Sequence, residues 1–255
     1  MTTIDKEFRI RTDFQTNLTF SSLKELLIKT ASTFPFENLA IINNQMQPIT
    51  KENLITKLLV NHEGGLCYEL NPLLYYFLKE NDWEVKLIRG VVYDHSNQGW
   101  SKTGNTHVLI LLTHEHKQYI IDTGFGNNLP LAPVPLSGEI MTTENGAYHI
   151  GQRDGALTLE MKKLGDQEWK TGYRFDVDDI VKEHSDLDHV QQTIFSSPIS
   201  PFNKKLIITQ ISEGGSLTLT EGSFTKNVQG KIEKKQISKE EVQKLAKLHF
   251  GLELA

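Results

Sequence analysis

His107-Val108-Leu109-Ile110-Leu111-Leu112-Thr113-His114-Glu115-His116-Lys117-Gln118-Tyr119-Ile120-Ile121-Asp122 sets two apolar runs on either side of a short polar segment. Val108 to Leu112 and Gln118 to Ile121 read as strands, and Thr113 to Lys117 reads as the turn of an antiparallel hairpin. With the turn centred between His114 and Glu115, opposed residue numbers add to 229 and His107 faces Asp122. Directly opposed side chains on one face stand about 5 Å apart at Cβ, so the carboxylate is within reach of the imidazole. A slip of one residue would send one of the two to the opposite face.

A histidine oriented by a carboxylate needs something to act on, and the chain has one cysteine, Cys67, in Gly64-Gly65-Leu66-Cys67-Tyr68-Glu69-Leu70-Asn71. With no second thiol, Cys67 forms no intramolecular disulfide. It is either a small buried filler or a nucleophile. Tyr68, Leu70, Leu73, Leu74, Phe77 and Leu78 recur at helical spacing, which puts the sulfur at a helix N-terminus, where the dipole favours an anion. Pro72 removes one hydrogen bond from that helix and predicts a first turn that is bent or starts later. A thiol of ordinary pKa, about 8.5, ionises far more readily beside an imidazolium. Asp122 would hold His107 in one tautomer and offset its charge. Gly64 and Gly65 would leave space for a substrate carbonyl, and the N–H groups near Cys67 and Tyr68 are candidates to stabilise an oxyanion.

The rest of the chain divides into three. Up to about residue 84 the periodicity is helical: Ser22 and Glu25 form a capping-box pattern ahead of Leu23, Leu26 and Leu27, and a second helix follows Thr50. From 85 to 195 the pattern is of strands, at Val85 to Tyr93, the hairpin, Tyr148 to Arg153, Ala156 to Leu164 and Trp169 to Phe175, which suggests a barrel or sandwich. Asn127 to Ser137, with three prolines, reads as an irregular loop. From 196 to 255, four short strands precede a helix capped by Ser238 and Glu241 and stopped at Gly251.

Phe36-Glu37-Asn38-Leu39, the Gly64 to Asn71 run, Thr103-Gly104-Asn105-Thr106-His107 and Asp122-Thr123-Gly124-Phe125-Gly126 resemble, in order and spacing, the motifs of the arylamine N-acetyltransferases. The resemblance spans most of the chain. It implies an α+β fold with an N-terminal helical bundle, a central β-barrel, a C-terminal α/β lid and a cysteine-protease-like catalytic core. It further implies that Cys67, His107 and Asp122 form a triad and that acetyl-CoA is the donor, bordered by Thr103 and Gly104. Phe36, Thr106, His107, Phe125 and Gly126 would border an aromatic amine, hydrazine or hydroxylamine acceptor. The expected reaction is a double displacement through an acetyl thioester on Cys67. The same three roles also serve a peptidase, a transglutaminase-like acyl transferase or a biosynthetic amide synthase, and an unreactive thiol would indicate a binding module.

One position departs from that family. An arginine usually precedes the paired glycines and can pair with the glutamate of the Phe-Glu-Asn-Leu motif, whereas this chain has Glu63. Glu37 therefore needs another cation, and Arg9, Arg11 or a lysine is expected to supply it.

Composition supplies the background. The 255 residues carry a net charge of −5 and no lysine or arginine block, which argues against a nucleic-acid partner. Lys102, Lys204 and Lys205 are candidates for the phosphates of CoA, although solvated surface lysines are the commoner case. Met1 to Glu7 holds no apolar stretch of signal-peptide type, and no run approaches a membrane span. A lone cysteine argues against a secreted disulfide scaffold, so the cytoplasm is the expected compartment. His114-Glu115-His116 alternates like a metal clip but supplies too few ligands, and no metal is expected.

Overall fold

The structure, a computed structural model, describes residues 4–254; positions 1–3 of the N-terminal reading lie outside the described residues. Helix α1 (Ile4–Thr12) and α2 (Leu23–Thr33) precede a two-residue strand, β1 (Phe36–Glu37), and short helices α3 (Leu39–Ile42) and α4 (Lys51–Leu54). The last continues as a six-residue π-helix, Ile55–Val60, before α5 (Cys67–Glu80). The barrel strands follow: β2 (Glu84–Asp94), β3 (Gly99–Trp100), β4 (His107–His114), β5 (Lys117–Ile121), β6 (Val134–Pro135), β7 (Met141–Thr143), β8 (Gly146–Arg153), β9 (Ala156–Lys163) and β10 (Lys170–Ile180). After α6 (His184–Ser196) come β11 (Ile207–Ser212), β12 (Gly215–Thr220), β13 (Ser223–Val228), β14 (Lys231–Gln236) and α7 (Lys239–Phe250).

The fold is α+β. Barrel strands run in the order β6-β5-β4-β2-β10-β9-β8-β7, with β3 beside β2, and β6 lies against β8, so the antiparallel sheet nearly closes. Strand β4 explains how this barrel is held. Its even-numbered residues Val108, Ile110 and Leu112 pack under the helices with Phe8, Leu58, Leu73 and Phe77, while Leu109 and Leu111 fill the barrel with Ile88, Leu159 and Tyr173. Burial on both faces is why this strand reads as a continuous apolar run rather than an alternating one. A third cluster joins Leu219 and Phe224 to Val242, Ala246 and Phe250 of α7.

Some local expectations change. Ser22 does not cap α2 with its side chain; its hydroxyl oxygen accepts from the Thr19 N–H at 2.9 Å, and Glu25 accepts from the Thr16 hydroxyl. A preceding 3-10 turn, Phe20–Ser22, has taken over the entry to the helix. Thr50 accepts from the Asn53 N–H as a cap should, and Ser238 and Glu241 form the expected box, with Gly251 at φ 68° closing α7. Helix α5 runs from Cys67 through Pro72, so its first turn is not delayed. The proline-rich loop contains β6, paired with β5 through Tyr119 and Pro135, and its Leu129 and Leu131 pack against Ala31 and Ile211. Helices α1 and α6 and strand β1 have no counterpart in the sequence reading. Among the described residues, no helix is long and apolar enough to cross a membrane.

Candidate active site

The hairpin's register differs from the expected one by an even step. Ile110 opposes Ile121 and His114 opposes Lys117, so opposed numbers add to 231, not 229. Glu115 and His116 form a two-residue turn with φ of 48° and 62°, the positive pair whose twist matches that of the flanking strands. A shift of two keeps every side chain on its face. Asp122 therefore lies just past the last paired residue, two positions off the direct partner of His107, yet shares the barrel-facing row. The gap closes at the side chains, with His107 Nε2 2.7 Å from Asp122 Oδ2.

Cys67 reaches the same place from the helical side. It is the first residue of α5 and only 6% exposed, and its Sγ donates to the Thr106 carbonyl at 3.5 Å. Cys67 and Tyr68 hold the first two helical positions, whose N–H groups have no partner inside a helix. His107 and Asp122 are each 3% exposed. Burial works against protonation of His107. The Asp122 charge and hydrogen bond, with help from Cys67, outweigh it and lift the imidazole from 6.5 to about 10. The pair thus favours an imidazolium next to a sulfur at a helix N-terminus, an arrangement able to generate a thiolate nucleophile.

Two residues at the site carried no assignment from sequence. Asn71, one turn after Cys67 and fully buried, donates to the Val108 carbonyl at 2.8 Å and to Asp122 Oδ1 at 2.9 Å. Its carbonyl accepts from the Thr123 N–H and hydroxyl at 2.9 and 3.1 Å. All four bonds an amide side chain can make are present. An unpaired buried group would cost about 1–3 kcal/mol, so this residue locks helix, strand and loop together. Its i+4 spacing from Cys67 and its place in the Gly64 to Asn71 run are the signals the sequence offers. Gly124 is the second: a Cβ there would lie 2.5 Å from Cys67 Cα, and its N–H donates to Asp122 Oδ1 at 2.8 Å. Gly64 and Gly65, by contrast, leave no room for a substrate carbonyl. A Cβ on the first would lie 2.1 Å from the Pro35 oxygen, and one on the second 2.8 Å from Glu69 Oε2.

The remaining candidates surround these groups. Phe125 and Tyr173 stand 5.2 and 4.5 Å from the His107 ring, centroid to centroid. The Tyr173 hydroxyl is buried without a hydrogen-bond partner, and burial followed by the nearby Asp122 pushes its pKa well up. Gly126, at φ 58°, sits against Phe36, which meets Phe202 edge-on at 5.6 Å. The Thr103 and Thr106 hydroxyls are 3.0 Å apart, and Gly104, at φ 72°, faces open space. Thr106 links Thr103 and Gly104 to Cys67, since its N–H donates to the Gly104 carbonyl and its own carbonyl accepts from Cys67 Sγ. Glu37 finds its cation in Lys57, at 3.7 Å, not in Arg9 or Arg11. His114 stacks on Phe20 at 4.6 Å, leaving Glu115 and His116 exposed at the turn. A cleft of about 840 Å³ lies behind α5, lined by Lys57, Glu63 and Glu69 among others, and not by Cys67, His107 or Asp122. Its size carries no chemistry that competes with the hydrogen-bonded set at Cys67.

Comparison with known proteins identifies the family. A family model described as N-acetyltransferase matches residues 19–255. An uncharacterized acetyltransferase of Bacillus subtilis is 37% identical over 238 residues, 92% of each chain. An arylamine N-acetyltransferase / N-hydroxyarylamine O-acetyltransferase of Salmonella typhimurium is 32% identical over 217 residues, 83% of this chain and 74% of that one. The crystal structure of an arylamine N-acetyltransferase from Bacillus cereus, described as having a unique Cys-His-Glu catalytic triad, superposes with a TM-score of 0.92 at 37% identity over 100% of both chains. Here the residue bonded to the histidine is an aspartate.

Proposed function

This chain belongs to the arylamine N-acetyltransferase family, and from that premise we propose that it carries acetyl groups from acetyl-CoA to aromatic amines, hydrazines or hydroxylamines through a thioester on Cys67. The observation that carries the reading is the 2.7 Å contact of His107 Nε2 with Asp122 Oδ2, made beside a cysteine at the start of a helix.

In the first half-reaction His107 takes the Cys67 proton, the thiolate adds to the acetyl carbonyl, and CoA leaves as its thiol after the imidazolium returns a proton. Nε2 is engaged with Asp122, so Nδ1 is the nitrogen that exchanges the proton. The N–H groups of Cys67 and Tyr68 are the oxyanion donors. In the second half-reaction the amine adds to the thioester carbonyl, His107 takes the amine's proton, and Cys67 departs as the thiol. Each step exchanges one acyl bond for another, so no external energy source is needed.

Thr103 and Gly104 border the donor in this scheme, supported by the open space at Gly104. Phe36, Thr106, His107, Phe125 and Gly126 border the acceptor, supported by the rings around His107 and Phe36. The division into a helical unit (1–84), a barrel (85–195) and a lid (196–255) belongs to the same proposal; the cluster inside the barrel supports it, whereas the largest cluster crosses from the helices onto β2, β4 and α6. So does a cytoplasmic location, which suits an unpaired cysteine.

Acetyl-CoA mixed with the protein, without amine, should add one acetyl group to Cys67 by intact mass, and Cys67→Ala should gain none. A wild-type protein that stays unmodified while hydrolysing peptide or glutamine amides would defeat the reading.

A further inference from the structure

Behind the Cys67 helix, on the side away from His107, lies a charged cluster that the transfer chemistry does not use. The Lys57 ammonium is 2.5 Å from Glu69 Oε1 and 3.7 Å from Glu37 Oε1. The lysine side chain is 17% exposed and the two carboxylates 7% and 1%. Each carboxylate also grips backbone. Glu69 Oε2 accepts the Leu66 N–H at 2.9 Å, which holds the residue immediately before Cys67. Glu37 accepts the Leu39 N–H, just after the strand that carries Phe36. The two segments are also stitched by backbone, Glu37 N–H to the Gly65 carbonyl and Gly65 N–H to the Pro35 carbonyl, both at 3.1 Å.

Two buried carboxylates on segments this close repel unless a cation stands between them. Lys57 occupies that place from an unusual element, the π-helix Ile55–Val60, whose wider turn is a recurrent feature of functional sites. Burial alone would lower the Lys57 pKa, but Glu69 and Glu37 raise it overall, so the cation persists; burial raises Glu37 against the pull of Lys57. The charged or titratable groups facing this region are Glu37 from β1, Tyr68 and Glu69 from α5, His62 and Glu63 from the connection, and Glu253 from the segment after α7; His107, Asp122 and Tyr173 face Cys67 from the barrel.

We propose that Lys57 is a positioning residue for the nucleophile: gripping Glu69 and Glu37 together, it fixes the first turn of the Cys67 helix against the Phe36 strand and offsets one of the two negative charges behind that turn. The inference rests on Cys67 being the nucleophile, and it adds to His107 a support that acts by holding the start of the helix and by relieving carboxylate repulsion there.

The test compares Lys57→Met, similar in length but uncharged, with Lys57→Arg in the full chain. The readouts are the pH profile of Cys67 alkylation by iodoacetamide, and kcat and KM for an aromatic amine. Lys57→Met should raise the alkylation midpoint by about one pH unit and, assayed at a pH below both midpoints, lower kcat about tenfold, the loss that a tenfold smaller thiolate fraction implies. Lys57→Arg should restore most of both. Loss of packing alone would lower the melting temperature without moving the midpoint. Should Lys57→Met fail to fold, the double variant Lys57→Met with Glu37→Gln removes the repulsion and still lacks the cation, and its midpoint should remain raised. A wild-type midpoint in whichever of the two folds overturns the proposal. Alkylation needs no CoA, so it gives its answer even if wild-type Cys67 accepts no acetyl group, a result that would count against the transfer reading instead.

Discussion

The hairpin of β4 and β5 and the hairpin of β13 and β14 turn in the same way, with positive φ at Glu115 and His116 in one and at Gln229 and Gly230 in the other. Their surroundings differ completely. From His107 to Leu112 the first is buried at every residue, between helices and barrel interior. In the second, all of β14 is exposed, and its three lysines guard an open sheet edge. A tight turn determines which residues face each other, but only packing on both faces turns that pairing into a constraint. His107 and Asp122 sit on the constrained hairpin, where a shift of one residue would separate them.

The largest expected effect breaks this contrast directly. One residue inserted between Glu115 and His116 should abolish turnover and sharply lower the melting temperature, because it sends Ile120 and Ile121 to the wrong faces. The same insertion between Gln229 and Gly230 should leave both measurements near wild type. Equal tolerance of the two insertions would show that register does not hold the triad.

Asp122→Asn comes next. Turnover should fall about 10⁴-fold, as when a catalytic histidine loses the carboxylate that sets its tautomer, while the fold survives. The variant also isolates a pH effect. Burial opposes protonation of His107, yet Asp122 lifts it from 6.5 to about 10, so the ion pair contributes fully below pH 6.5 and is lost as pH rises through 10. Wild-type melting temperature should decline across that window, and the decline should flatten in Asp122→Asn. Parallel curves would mean that the pair adds nothing to stability.

The smallest effect refines the turns themselves. His116→Gly should stabilise the chain by roughly 0.5–1 kcal/mol in urea titration, since a non-glycine residue at positive φ is strained there. Gly230→Ala should do the reverse, with the Leu164 carbonyl 2.9 Å from the new Cβ. A loss of stability in His116→Gly would mean that the imidazole itself supports the turn.

Much of this was legible in the residues. The apolar runs around Thr113 to Lys117 predict a hairpin, and parity alone puts His107 and Asp122 on one face. The displacement by two was not legible, because Glu115-His116 lacks the Asn-Gly or Asp-Gly signature of such turns. Strand β1 is two residues long, too short for any period to show. Helix α6 buries Leu187, Val190 and Ile194, a helical spacing diluted by its many polar residues. Lys57 hides in a π-helix, where the wider turn breaks the 3.6-residue pattern. Asn71 and Gly124 look ordinary along the chain, and their importance comes from groups far away in sequence that fold against them.

Strand β1 also has a consequence for synthesis. Phe36 pairs with Thr209 and Glu37 with Ile208, so the expected acceptor wall is an edge of a sheet encoded far downstream of it. A ribosome that has translated the cysteine, the histidine and the aspartate has not yet made the strand that completes the wall. The nascent chain therefore carries its thiol before the strand that pairs with β1 exists, and a product truncated before β11 would keep Cys67, His107 and Asp122 without the sheet on which Phe36 rests.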